Sequence, residues 1–345
     1  MKKHLISLLK LFISGILASF ILCIFCFFYD NSPIAVVQPD GYTNYKFNPD
    51  TNWSFMTEGF GFGRTNNIGY NSADDISFSD PIIAFLGSSQ TEALQVQQDK
   101  NFVSLTRDAL HSDTEKSNDY PCVNLGISSH FFNVCISKFS SFLDTFENPQ
   151  YVVIETGNLV FTEEELDKML NEAYHDPYID KGTLNNVMRR IPLIRTLKNQ
   201  YELVSRTELV NDAPENITSM DYAVYEDKME KIIQKLQVAA SEKDLQIIIL
   251  YHNAISVDTN GSSFRTDDAK ILEIVRKCCI TNNVSFIDAT EQFLVHYQET
   301  CQMPYGFANT VPGVGHLNET GHKIIAELVY QQITELTRRN PHGIQ

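Results

Sequence analysis

The 345-residue chain carries 27 basic and 43 acidic side chains, a net charge of −16, and is 43% apolar. It is long enough for two domains, or for one α/β domain with an insertion, and apolar enough to bury a full core. The acidic balance argues against a nucleic-acid partner, because phosphate binding is driven by Lys and Arg.

The first element is a charge-free run over residues 11–28, which at about 1.5 Å per residue spans roughly the hydrocarbon thickness of a bilayer. Lys2, Lys3 and Lys10 precede it, and Asp30 and Asp40 follow. Positive charge stays cytoplasmic, so the chain is expected to be a single-pass membrane protein with residues 1–10 in the cytoplasm and its main domain outside. A cleaved signal peptide is the competing reading, but no small-x-small site follows Phe28 and Leu22 precedes Cys23. Residues 29–80, rich in Asn, Asp, Gly, Pro and aromatics, read as a linker and irregular lead-in.

Strand signals then recur at Pro81–Leu86, Cys122–Leu125, Tyr151–Glu155, Leu245–Tyr251 and Val284–Ile287, each a short apolar run ending in a polar or glycine-bearing turn. Runs such as Ile247-Ile248-Ile249-Leu250 fit strands covered on both faces. Helical faces lie between them: Met229, Ile232, Ile233, Leu236 and Ala240; Ile271, Ile274, Val275 and Cys278; and Ile324, Ile325, Leu328 and Val329 after Asn318. The alternation predicts a three-layer α/β/α domain over 81–338, with a central parallel sheet of about five strands. The stretch 162–225 has no strand signal. It opens on the capping box Thr162-x-x-Glu165, is broken at His175-Asp176-Pro177 and at Met188-Arg189-Arg190-Ile191-Pro192, and reads as a mainly helical insertion above the sheet edge. Residues 339–345 are a tail. Outside the anchor, Cys122, Cys135, Cys278, Cys279 and Cys301 have no metal-like spacing and read as buried thiols. One disulfide is allowed in an oxidising compartment, its partners unnamed.

Ligands of open α/β sheets bind outside the carboxyl ends of the strands. Four polar residues fall there or beside the last helix: Ser89, Gly126, Asn158 and His316. A serine hydroxyl needs an adjacent base to act as a nucleophile, imidazole titrates near neutrality, and a tetrahedral intermediate needs donors aimed at its oxyanion. Ser89 and His316 are therefore the candidate catalytic pair. The N–H groups of Ser89 and Gly126 and the amide of Asn158 are the candidate oxyanion donors. His252 lies at the same rim and reads as a water-binding histidine; Arg64 and Glu92 are weaker candidates for the pocket wall. No phosphate loop, zinc motif or dinucleotide fingerprint occurs, so no cofactor is expected.

In these blocks the chain resembles the SGNH (GDSL-like) hydrolase and acyltransferase superfamily. Gly87-Ser88-Ser89 matches the first block, Asn124-Leu125-Gly126 the second, Asn158 the third, and His316-Leu317-Asn318 with Gly321-His322 the fourth. Asn66-Asn67-Ile68-Gly69-Tyr70 and Tyr151-Val152-Val153-Ile154 are similar to bacterial members. The resemblance covers about 65–160 and 240–338, implies a flavodoxin-like sheet, and gives the base to His316 rather than His322. Ser88 stands where the family has Asp, and Thr156 and Leu159 replace the residues that usually flank the third block. Gly313 stands three residues before the histidine, where the family carries its third triad member. Either a Ser89–His316 dyad acts alone, another acid substitutes, with Asp288 the candidate, or catalysis has been lost. The resemblance implies an extracytoplasmic serine esterase or O-acyltransferase acting on acyl, notably acetyl, esters of a cell-envelope glycan or a small ester, served by a membrane acyl-export partner. The alternative is a degenerate domain that binds glycan or scaffolds an export complex.

Overall fold

The computed structural model describes residues 2–33, 35–112, 120–174, 190–209 and 221–339. Helix α1, Lys2–Tyr29, carries the apolar run; among the described residues it is the one helix long and apolar enough to cross a membrane, and little of it is buried against the protein.

Five strands form the central sheet: β1 Pro81–Leu86, β2 Cys122–Asn124, β3 Asn148–Thr156, β4 Gln246–Tyr251 and β5 Ser285–Asp288. All four pairings are parallel and the order is β2-β1-β3-β4-β5. That is the doubly wound, flavodoxin-like order, so the expected fold class holds and the chain reverses direction in the sheet between β1 and β3. Pro81, which can donate no ladder hydrogen bond, sits at the first position of β1, where the loss is tolerated.

Period-two alternation divides the apolar side chains between two cores. Ile82, Ala84, Leu86, Val152, Ile154, Ile247 and Ile249 face one side. They meet helices α4 Phe132–Ser137, α5 Phe139–Thr145, α6 Glu163–Leu170, α8 Tyr222–Ser241 and α9 Ala269–Thr281. Ile83, Phe85, Val153, Ile248, Leu250 and Ile287 face the other, under α3 Phe102–Ser112, α10 Ala289–Thr300 and α11 Glu319–Arg339. Short α2, Ser89–Glu92, follows β1 and is capped by Ser88. The expected capping box forms at α6: Thr162 N–H donates to Glu165 Oε2 at 2.7 Å while Glu165 N–H donates to Thr162 Oγ1 at 3.3 Å. Helix α7, Pro192–Leu209, lies in the 162–225 stretch; His175-Asp176-Pro177 and Met188-Arg189 fall outside the described residues.

The lead-in is more ordered than its composition suggested. Asn52–Phe55 pairs antiparallel with both Asp30–Asn31 and Gly61–Arg64, which fixes the turn over 56–60 between two of these strands. Cys122, Cys135, Cys278 and Cys279 are buried free thiols and Cys301 is an exposed one.

Phe142 is fully buried and stacks on Phe139 and Phe146 with its edge toward Tyr42. Phe142→Ala is expected to destabilise the chain by about 3–5 kcal/mol, read as a lower urea midpoint at unchanged slope.

Candidate active site

The parallel sheet delivers β1, β3 and β4 to one rim, and a single buried carboxylate ties their ends together. Glu155, in the last turn of β3, accepts from Ser88 N–H at 2.9 Å, Ser88 Oγ at 3.2 Å, Thr91 Oγ1 at 2.9 Å and His252 Nε2 at 3.0 Å. The other ring nitrogen of His252 bonds to the buried Tyr305 hydroxyl. Burial pushes the Glu155 carboxyl upward, but the hydrogen bonds from His252, Ser88 and Thr91 outweigh it and hold the group below its ordinary value. His252 is thus a buried strut, not the water-binding histidine expected.

On this base Ser89 opens α2, and its Oγ lies 3.0 Å from His316 Nε2 although the residues are 227 positions apart. The loop before α11 is held against α2 by Gln90, whose Oε1 accepts from Leu317 N–H at 2.8 Å. Behind the imidazole stands a residue that the sequence did not nominate. Glu58 Oε2 is 2.7 Å from His316 Nδ1, and its Oε1 accepts His316 N–H at 2.9 Å. Glu58 sits in the turn between the short strands of the lead-in, where Asn309 clamps that turn by accepting Gly59 N–H at 2.9 Å and donating to Met56 O at 3.1 Å.

Asp288 is therefore not the orienting acid. Its Oδ1 accepts Thr290 N–H at the start of α10, and its Oδ2 pairs with Arg265 at 2.8 Å and Arg276 at 3.2 Å. Gly313 and Gly315 show why the acid is not carried on the histidine loop itself. Both have positive φ, +84° and +97°, a region that side chains with a Cβ rarely adopt. A Cβ on Gly315 would stand 2.4 Å from Glu58 Oε1, so the missing side chain makes room for the incoming carboxylate.

The expected oxyanion donors are placed unevenly. Ser89 and Asn158 both line a cavity of about 470 Å³ at the rim. Gly126 N–H donates to Asn124 Oδ1 at 2.9 Å, and the exposed Asn158 side chain is closed on Val160, its Oδ1 accepting at 2.9 Å and its Nδ2 donating at 3.1 Å. The single N–H of Gly126 must leave Asn124 before it can hold an oxyanion, whereas Asn158 Nδ2 has a second N–H to donate. His322 is buried, accepts Phe102 N–H at 3.3 Å and is pushed down by burial to about 3, which keeps it neutral. Arg64 pairs with Asp50 at an exposed site and does not line the cavity.

Glu92 is buried beside the pair, with Ser128 Oγ donating to its Oε2. Burial raises its carboxyl to about 7, against the lowering effects of Ser128 and the nearby His316. Between about pH 4.5 and 7 the folded chain therefore holds a proton that the unfolded chain has released. The associated stability is complete below that window and is lost as pH rises through 7. Glu92→Gln is expected to flatten the fall, worth at most about 1.4 kcal/mol per pH unit, in urea titrations run from pH 5 to 7.

Comparison with known proteins gives no matching family model and no matching curated protein. Among solved structures, an acetyl xylan esterase, AlAXEase, is 17% identical, with 73% of this chain and 98% of that one covered at a TM-score of 0.41. TesA is 15% identical, with 74% and 99% covered at 0.40. A GDSL-like lipase from Bacteroides thetaiotaomicron is 16% identical, with 74% and 88% covered at 0.30.

Proposed function

We propose that the chain is a serine-dependent acyl-ester hydrolase or O-acyltransferase in which Ser89, His316 and Glu58 form the triad. The observation that carries this reading is the unbroken hydrogen-bonded line from Ser89 Oγ through both ring nitrogens of His316 to Glu58, with Ser89 at the cavity wall. The Glu58 carboxylate accepts Nδ1–H, which leaves the Nε2 lone pair facing the serine hydroxyl. Ser89 Oγ attacks the ester carbonyl as its proton passes to Nε2, and the imidazolium formed is held by Glu58. Collapse of the tetrahedral intermediate returns that proton to the departing alkoxide and leaves acyl-Ser89. Water or a sugar hydroxyl then attacks the acyl carbon as His316 takes its proton, and cleavage of the acyl–Oγ bond returns that proton from Nε2 to Ser89 Oγ. Ser89 N–H, Gly126 N–H and the reoriented Asn158 amide serve the oxyanion.

The substrate we favour is an acyl, notably acetyl, ester on an extracytoplasmic glycan. Three things support it: the membrane-length helix α1, a cavity of ligand size, and a lining that mixes the amides of Gln90, Asn133, Asn158 and Asn253 with the exposed Phe131 ring. An acyl donor supplied across the membrane by a partner protein is compatible with this placement. The degenerate-domain alternative rested on the missing acid at position 313 and the altered position 88; the Glu58 carboxylate at His316 Nδ1 favours the enzyme reading over it.

A fluorophosphonate probe is expected to label the full chain and not its Ser89→Ala form; equal labelling of both would remove Ser89 from its role. Glu58→Gln is expected to lower kcat by about 10³–10⁴-fold with little change in KM, because the geometry persists while the imidazolium loses its countercharge. Steady-state kinetics with an aryl acetate measure this. An activity within a few-fold of the parent would return the site to a Ser89–His316 dyad.

A further inference from the structure

Helix α7 presents two unlike faces. Toward the protein, Arg195 is buried and its guanidinium donates to the backbone carbonyl of Asp30 while standing 3.9 Å from that residue's carboxylate. Asn199 Nδ2 donates to Asp30 Oδ2 at 2.6 Å, and Gln200 Nε2 lies 3.4 Å from the Tyr29 hydroxyl. Asp30 is fully buried and directly follows the last residue of α1. These contacts lock α7 against the point where α1 ends, and the two helices pack together there.

The opposite face is apolar and exposed. Ile191 precedes the helix, and Ile194, Leu197 and Tyr201 follow it at 40%, 36%, 62% and 74% exposure respectively. At 100° per residue these positions and Lys198 fall within a stripe about 120° wide. Of the basic side chains Arg190, Arg195 and Lys198, Arg195 is turned inward to Asp30, which leaves Arg190 and Lys198 at this face, and Glu202 follows Tyr201. The stripe continues the exposed apolar surface of the last turns of α1, where Phe25 and Phe28 are 62% and 70% exposed. An exposed apolar stripe fixed level with the end of a membrane-length helix has the chemistry of an element that lies in the lipid headgroup layer.

We propose that α7 is an interfacial membrane helix, its Ile191–Ile194–Leu197–Tyr201 stripe seated in the same bilayer that α1 spans and Arg190 and Lys198 at the headgroups. The inference rests on the reading of α1 as an uncleaved anchor. It makes the Arg195–Asp30–Asn199 cluster the joint that sets the tilt of the α/β body against the membrane, rather than leaving the body on a free tether.

The test uses the full chain in phosphatidylcholine–phosphatidylglycerol vesicles whose lipids carry bromine either near the headgroup or near the chain ends. Tryptophan replaces one residue at a time in Leu197→Trp, Ile194→Trp and Phe20→Trp; the parent's one tryptophan, Trp53, is buried and gives the background. Expected is loss of most of the added emission of the two α7 variants with shallow bromine, and of Phe20→Trp with deep bromine. If Phe20→Trp is quenched while both α7 variants emit as in water, the stripe faces solvent and the proposal is overturned. Blue-shifted α7 emission insensitive to bromine would mean that a second copy or a partner protein covers the stripe, which overturns it equally. An unquenched Phe20→Trp would remove the anchor itself, and this inference with it.

Discussion

A buried carboxylate that must be paired organises this molecule. Glu155 ends the middle strand of a parallel sheet, out of reach of water, where an ionised group without partners would be severely destabilising. It is satisfied by drawing in the Ser88 turn after β1 and the His252 ring after β4, and through His252 the hydroxyl of Tyr305. Tyr305 belongs to the same loop as His316, bridging to Leu317 across that loop. One acid therefore fixes, at one rim, the segments that present the serine and the histidine. Ser88, a neutral side chain, adds no second negative charge next to Glu155.

The second constraint is conformational. The loop over 304–318 reverses through positive-φ backbone at Gly306, Gly313 and Gly315, with Gly306 N–H bonded to His316 O and Gly313 N–H to Tyr305 O. A loop built this way presents His316 toward Ser89, but the φ of +84° at Gly313 disfavours any side chain three residues before it. The acid arrives instead from the opposite side, on a turn of the lead-in sheet that Asn309 clamps to the same loop. In the proposed triad the chain order is Glu, Ser, His, in keeping with the rule that such sites are recognised by geometry and not by sequence position.

The proposed anchor and the proposed triad acid are joined by the same small sheet. Asp30–Asn31, the first residues after α1, pair with Asn52–Phe55, and the next turn carries Glu58. Glu58 thus lies 29 residues past the end of α1. What composition presents as a linker is a small sheet between α1 and the Ser89–His316 pair.

Local pattern was enough for much of this protein. Near-continuous apolar runs such as Ile247–Leu250 fit strands covered on both faces, and with the helical faces between them the strand positions and the three-layer class follow from the residues themselves. Ser89 and His316 were legible because each sits in a short motif at a predicted element boundary. Glu58 was not, because its meaning depends on a partner 258 positions away and on a turn in a stretch without hydrophobic periodicity. Gly126 and Asn158 were legible by type, but their present partners, Asn124 and Val160, are set by turn geometry that no motif encodes. Asp288 looked available because it ends a strand; folding brings Arg265 and Arg276 to it and leaves it far from catalytic use. Sequence fixes which groups each element offers, through periodicity and backbone preference, whereas only tertiary packing decides which of those groups meet, since burial makes every charge take the partner that topology places within reach.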